Sequence, residues 1–460
     1  MNKRHDDKKP AKKVPVRQWL ALGLFITSLA CCPAWAGVES DTAGFIIGVQ
    51  THFPQGKNLP AEKTIRMIKA AGVDSLRDEI YWFTVEQKRG IYAIPNEVRA
   101  AVQLAINNGI KPLVILDYGN KLYQDGGPYG GLHGGLPTTE GAQEAFVNYA
   151  KFIANSFKGQ VVLYEIWNEW NIGAGPQRLP PGVRPDPQAY VDLLCKTYRV
   201  LKAIDDNIIV IGGAVAGYDT AWITELLDRG AIEYMDALSI HPYSYRTAQP
   251  KPEKVLEKIA DIHRIVQRYT NKNEFPIYIT EIGWPSNVGA FGINPEIAGD
   301  YLARFLFLAK CKPFIKGVWW YDFQNDGTNI RQSEDNFGLV QSDFTPKPAY
   351  SVLKDIAAII RETAFAEQVK APPHLWALRF AHLDGRTTLA LWSDLASSPA
   401  QVKIGFSGDT SDQVLVQEVG SGVPMGERKL DPGHRELSLS VSGRPWLIQG
   451  TFGQIILEGN

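Results

Sequence analysis

From residue 44 onward, short stretches rich in Val, Ile and Leu alternate with longer stretches whose apolar residues recur every three to four positions. The short stretches, at 45–51, 73–77, 112–117, 161–167, 208–213, 237–241, 277–281 and 317–322, predict eight strands. The long ones, at 61–71, 96–107, 140–157, 187–204, 221–229, 252–269, 295–310 and 348–361, predict helices, several opening on proline or closing at glycine. Strands this continuously hydrophobic are covered on both faces. Strand-then-helix order repeated eight times therefore predicts a (β/α)8 TIM barrel, with a doubly wound sheet as the alternative. Beyond residue 365 the pattern shortens to alternating runs at 375–380, 387–392, 401–404, 414–416, 437–441, 445–448 and 454–457, separated by turn residues. These predict a small all-β, sandwich-like C-terminal domain. The chain then divides into a leader (1–36), a barrel (37–365) and a β-sandwich accessory domain (366–460).

Composition adds two constraints. The 460 residues are 45% hydrophobic, enough for more than one core. A formal charge of −1, from 48 basic and 49 acidic residues, argues against a nucleic-acid partner, which would need a basic face. That neutrality is a sum of unlike parts, about +5 in residues 1–36 and about −6 in the rest. A mildly acidic body fits a neutral, hydroxyl-rich polymer better than a polyanion. The leader runs from a basic stretch (Lys3, Arg4, Lys8, Lys9, Lys12, Lys13, Arg17) through an apolar segment to Ala34-Trp35-Ala36, the pattern of a secretory signal peptide. No charge falls between Arg17 and Glu39, roughly the 20 residues that span a bilayer. Two outcomes are open, cleavage after Ala36 or retention as a membrane anchor. Both export the body, which is then periplasmic, secreted or tethered to the inner membrane. Cys31 and Cys32 belong to the leader, and Cys195 and Cys311 are read as buried free thiols.

Barrel chemistry gathers at the C-terminal ends of the strands. The fourth predicted strand ends in YEIWNEWN, bringing Asn168 and Glu169 to the rim; the seventh ends in YITEIGWP, bringing Glu281 there. Strands four and seven lie nearly opposite, so the two carboxylates can flank a bond held over the axis. Retaining glycoside hydrolysis needs such a pair about 5 to 5.5 Å apart, one as acid/base and one as nucleophile. Glu165 shares the facing of Glu169 but lies roughly 13 Å deeper, and is read as a structural acid paired with an arginine. Arg77, in LRDE, can stand beneath the cleft and hold a carboxylate ionised. His241 and Tyr243, in SIHPYSY, share one facing, and a phenol at 243 would orient Glu281. Asp117 could bond a sugar hydroxyl or cap a turn. Asn168 is suited to a substrate 2-hydroxyl. Trp82, Trp167, Trp170, Trp284, Trp319 and Trp320 all fall at or beyond strand ends and predict flat apolar platforms for pyranose rings. Trp376, Trp392 and Trp446 are read as core or interface residues of the C-terminal domain. The sequence lacks G-x-S-x-G, H-E-x-x-H, C-x-x-C and phosphate-loop motifs, and its histidines lack metal-ligand spacing. The glycine-rich stretch at 126–135 reads as a cleft-rim loop.

These motifs carry a resemblance. Asn168-Glu169, Glu281, His241-Pro242-Tyr243 and Trp319-Trp320 at barrel strand ends resemble the clan-A retaining glycoside hydrolases. RDE at 77–79, LDYGN at 116–120, YEIWNEWN at 164–171 and VWWYDFQNDG at 318–327 most resemble family 39. Within it they are most similar to exported, Psl-type endoglycosidases encoded with biofilm exopolysaccharide synthesis. The resemblance implies Glu169 as acid/base, Glu281 as nucleophile, retention of configuration, no cofactor and no metal. It also implies a polysaccharide or oligosaccharide substrate and a link to the exopolysaccharide export machinery. The alternatives are an exo-acting β-xylosidase or β-glycosidase, a transglycosylase, and a non-catalytic polysaccharide-binding component.

Overall fold

A computed structural model of the chain describes residues 44–123, 135–173, 184–248, 250–395, 399–408, 412–430 and 435–459. The leader, with its cleavage site and Cys31 and Cys32, lies outside the described residues, as does the glycine-rich stretch up to residue 134. Eight parallel strands close a barrel in chain order: β1 (Ile46–Gln50), β2 (Ser75–Tyr81), β3 (Lys111–Asp117), β4 (Leu163–Ile166), β5 (Ile209–Ala216), β6 (Ala237–His241), β7 (Ile277–Ile282) and β8 (Ile315–Trp320). The doubly wound alternative is excluded, because β8 pairs with β1, Ile46 opposite Gly317.

Four of the helices between them begin where a side chain supplies a partner for the free N–H groups of a first turn. Asp186 and Asn294 accept from the amides of Gln188 and Glu296 ahead of helices Pro187–Ile204 and Pro295–Lys310, each with proline at its first position. Thr139 and Asp219 cap Glu140–Ser156 and Thr220–Asp228 in the same way. Strand β2 runs four residues past its predicted end, so Arg77 lies within the strand rather than at its mouth.

The lower barrel interior is apolar, filled by Leu113, Ile115, Leu163, Ile211, Tyr278 and Trp319. Trp319 is fully buried, donates its indole N–H to Ser75 Oγ at 3.0 Å, and occupies the space left by Gly48. A Cβ on Gly48 would lie 2.1 Å from Trp319 Cδ1. Above this plug lies a polar layer, Gln50, Arg77, Glu165, His241, Thr280 and Glu281, all buried. The plug thus seals the bottom of the site described below.

The C-terminal region holds two antiparallel sheets, with β9 (Thr363–Gln368), β10 (Leu375–His382), β11 (Thr387–Ser393), β13 (Gln413–Glu418), β14 (Gly426–Lys429) and β16 (Trp446–Gly450) in one. The other comprises β12 (Ala400–Ser407), β15 (Glu436–Val441) and β17 (Gln454–Gly459). Val402, Ile404, Leu391 and Ile448 pack between them. Strands β9 and β14 are additions to the predicted set, and β9 straddles the expected boundary at 365. Trp376 and Trp392 stack at 6.1 Å, and Trp392 donates to Glu253 at 2.9 Å, where Glu253 also pairs with buried Arg304 on the barrel. These contacts make barrel and sheets one compact unit, Val38–Asn460. Cys195 and Cys311 are unpaired and half-buried. Among the described residues no helix is long and apolar enough to cross a membrane.

Candidate active site

The strand ends surround a cleft of about 670 Å³. Glu169 follows β4 in the left-handed region, φ 49°, a conformation that costs a non-glycine residue about 1 kcal/mol or more. Its amide donates to the Ala214 carbonyl at 2.9 Å, and Ala214 sits in the register shift of β5 between Gly212 and Val215. The bulge thus presents the acceptor that fixes the Glu169 backbone. Glu281 comes from the C-terminal end of β7. One carboxylate oxygen of each glutamate and a ring nitrogen of His241 all lie within 4.8 Å of one another.

Arg77 organises the floor. Its Nε donates to Glu165 at 2.7 Å, its Nη1 to Gln50 and to Glu281 Oε1 at 2.6 Å each, and its Nη2 to Asn168 Oδ1 at 3.0 Å. The guanidinium is 1% exposed, so these charge-assisted bonds are made out of water. Tyr243 donates to the second oxygen of Glu281 at 2.8 Å. Burial alone would raise the Glu281 pKa, but the charges of His241 and Arg77 and the bonds from Tyr243 and Arg77 outweigh it and hold Glu281 below the usual carboxylate range. His241 Nδ1 sits 2.9 Å from Glu169 Oε1 and 3.6 Å from Glu281 Oε2. Burial opposes its protonation, and the two glutamates overcome that and raise its pKa. Glu165 is fully buried on Arg77, as its depth in the barrel predicts.

Asn168 lines the cleft, its amide held between Arg77 and the Tyr118 hydroxyl, to which it donates at 2.9 Å. Asp117 does not reach the cleft surface. It is fully buried, neither carboxylate oxygen has a hydrogen-bond partner, and burial together with the Glu79 charge pushes its pKa well up against the opposing Arg77. The expected sugar contact from Asp117 is therefore corrected.

The tryptophan platforms are corrected too. Trp82, Trp167, Trp170, Trp284 and Trp319 are at most 1% exposed and Trp320 is 5% exposed. Trp170 packs on Trp167 and Tyr190, Trp284 on Tyr301, Phe305 and Trp320, and Trp319 is the barrel plug. Large rings near strand ends are claimed by the strand–helix core, where each buries the most apolar area. The aromatic cleft wall is instead Tyr81, Tyr118, Tyr243, Tyr245, Tyr321 and Phe337. A signal for part of it is present in the sequence, since Arg77, Glu79 and Tyr81 alternate along β2 and share one facing.

A second charged group escapes the strand-end pattern. His52, just past β1, lies 3.6 Å from Glu79, 3.7 Å from Asp322 and 4.0 Å from Asp326. Burial would lower its pKa, but Glu79, Asp322 and Asp326 raise it to about 10. The donor atoms of His52, Asp322 and Asp326 are close enough to share a cation, and the Lys57 ammonium stands 2.9 Å from Asp326.

Residues 38–312 match the cellulase family, glycosyl hydrolase family 5. A β-xylosidase of Geobacillus stearothermophilus is 25% identical over 211 residues, 41% of this chain and 39% of that protein, so the match spans about two fifths of the relative's length. A family 39 glycoside hydrolase from the gut symbiont Bacteroides cellulosilyticus WH2 superposes with a TM-score of 0.72 at 27% identity, covering 89% of this chain and 81% of that one. A monomeric β-xylosidase from Caulobacter crescentus CB15 shares the fold at TM-score 0.60 and 15% identity, covering 90% and 98%. The resemblance to clan-A, family 39-like enzymes carried by the strand-end motifs is borne out.

Proposed function

The chain belongs to the cellulase family, glycosyl hydrolase family 5, and from that premise we propose that it hydrolyses β-glycosidic bonds with retention of configuration, using Glu169 and Glu281. The observation that carries this reading is the approach of the two carboxylates, with oxygens within 4.8 Å. Retaining pairs stand about 5 to 5.5 Å apart, whereas inverting pairs stand about 6.5 to 9.5 Å apart to admit a water. In the first step an oxygen of Glu281 attacks the anomeric carbon while protonated Glu169 gives its proton to the departing glycosidic oxygen. In the second, Glu169, now a carboxylate, takes a proton from water as that water's oxygen displaces Glu281 from the sugar.

The division of labour follows from the surroundings. Glu281 receives Arg77 on one oxygen and Tyr243 on the other, donors that favour a carboxylate and so a nucleophile. Glu169 has its side chain 18% exposed toward the cleft and can meet a leaving group. Asn168 is positioned by Arg77 and Tyr118 to meet a hydroxyl next to the reacting carbon.

The substrate we propose is an exported polysaccharide, cleaved internally, in biofilm matrix synthesis or turnover. Support comes from the cleft volume and tyrosine-rich wall, and from the leader, which would place the enzyme in the periplasm or outside the cell, free or tethered beside export machinery. A second reading, removal of terminal xylose or related sugars, is favoured by the β-xylosidase relative. Digestion of isolated exopolysaccharide with sizing of the products separates the two. Oligosaccharides support internal cleavage, monosaccharides support terminal action, and no product with either polymer or aryl β-glycosides refutes both.

A further inference from the structure

We propose that Glu165 and Thr280 form a positioning relay that keeps a proton on Nε2 of His241, leaving Nδ1 as the one ring position that exchanges a proton in front of Glu169 and Glu281. This deepens the reading above and rests on it for the roles of the two glutamates.

The relay follows from counting donors. The Arg77 guanidinium has no acceptor, so the Glu165 oxygen 2.7 Å from its Nε must accept. The other Glu165 oxygen lies 2.8 Å from Thr280 Oγ1, and an ionised carboxylate can only accept there as well. Thr280 has a single hydroxyl proton, and Glu165 takes it. What Thr280 then offers to His241 Nε2, at 3.1 Å, is a lone pair, so Nε2 carries a hydrogen. One Nη2 N–H of Arg77 goes to Asn168 at 3.0 Å; the other is 3.5 Å from the same ring nitrogen, at the outer limit of a hydrogen bond, and so weighs less there than Thr280 at 3.1 Å.

With Nε2 fixed, Nδ1 has two states. When both glutamates are carboxylates, Nδ1 carries a proton and the ring is an imidazolium facing both; when Glu169 is protonated, Nδ1 can stand as acceptor. The groups facing His241 are Glu169 after β4, Glu281 and Thr280 on β7 and Arg77 on β2, with Glu165 on β4 behind Thr280 and Tyr243 after β6 bonded to Glu281. Burial seals the relay from water, since Glu165, Thr280 and His241 are all fully buried. Neither Glu165 nor Thr280 lines the cleft, so both act through His241.

Two near-isosteric changes perturb the relay differently. Thr280→Val removes the lone pair and frees the ring to hold a single proton on either nitrogen. Glu165→Gln inverts the relay: Arg77 Nε demands the amide oxygen, which turns the amide N–H toward Thr280, so that the threonine hydroxyl donates to Nε2 and Nε2 stands as an unprotonated acceptor. Thr280→Ser preserves it.

The test uses full-chain enzyme labelled with ring ¹⁵N histidine, read near neutral pH without substrate, with the His241 signals assigned by their loss in His241→Asn. Wild type and Thr280→Ser should show a protonated Nε2, Glu165→Gln an unprotonated Nε2, and Thr280→Val a tautomer mixture. In parallel, the acid limb of kcat/KM should rise by about one pH unit in Thr280→Val, because Glu281 loses a facing cation, and return to the wild-type position in Thr280→Ser. If Glu165→Gln does not fold, Thr280→Val and Thr280→Ser decide alone. An unprotonated Nε2 in wild type, or an unaltered His241 spectrum in Thr280→Val, overturns the relay. Spectra that change as described in an enzyme that turns over no glycoside leave the relay standing and refute the glycosidase reading.

Discussion

Replacing Arg77 with Met keeps a side chain of similar length and removes the guanidinium that stands beneath the two carboxylates it bonds. Glu165 and Glu281 then keep their burial and lose their countercharge. Deleting one partner of a buried pair costs about 3 to 5 kcal/mol, because the remaining charge stays out of water unpaired. An unfolding entropy of about 2.1 cal/mol/K per residue, over roughly 420 residues, amounts to about 0.9 kcal/mol/K, so the melting temperature should fall by roughly 3 to 6 °C. The catalytic effect has a definite sign. In the proposed mechanism Glu281 acts as a carboxylate, and its folded pKa lies below the usual value, so activity should be lost only as pH falls through that depressed pKa. Without Arg77, burial is less opposed and the pKa rises. The acid limb of kcat/KM should move up accordingly, and activity at pH 5 should fall by more than activity at pH 7. Calorimetry and a pH profile from 4 to 8 on an aryl β-glycoside measure both effects. An Arg77→Met enzyme with wild-type melting and an unmoved acid limb would refute the electrostatic account of the floor.

Glu169→Gln should slow hydrolysis of substrates with poor leaving groups by about 10²- to 10⁴-fold, yet spare formation of the glycosyl-enzyme from a dinitrophenyl glycoside, whose leaving group needs no proton; burst kinetics distinguish the two steps. His52, with its pKa raised from 6.5 to about 10, contributes stability that is complete below pH 6.5 and is lost as pH rises toward 10. Urea unfolding of wild type and His52→Gln should therefore differ most near pH 6, by at most about 5 kcal/mol, and converge near pH 10. Gly48→Ala puts a methyl into the Trp319 ring and should destabilise by about 3 kcal/mol or more, seen as a lower urea midpoint with unchanged slope.

The barrel is legible in the sequence because its signal is redundant. Eight strands, each buried on both faces, produce eight apolar runs, and proline or capping residues mark the starts of the helices. The charged centre is legible for a related reason, since Glu169, Glu281, His241 and Tyr243 sit at strand ends that topology forces to one rim. Period two likewise places Arg77 and Glu165 inside the barrel. The aromatic wall is not legible. Whether Trp320 or Tyr321 faces the cleft depends on where β8 stops and which side the helix layer claims, and no local pattern sets that. Indoles at 82, 167, 170 and 284 go to the strand–helix core, while phenols, which keep a polar end in water, take the wall at 81, 118 and 321. Strands β9 and β14 escape prediction because their residues are mostly exposed and carry almost no apolar alternation.

The central claim, that Glu169 and Glu281 act as a retaining pair, is tested most directly by the configuration of the first product. Proton NMR of an aryl β-glycoside, or of an oligosaccharide from the natural polymer, taken before mutarotation reads the anomeric signal at early time. The β-anomer should appear first and the α-anomer only as mutarotation proceeds. An α-anomer released first would mean direct displacement by water, and would contradict the assignment of Glu281 as nucleophile.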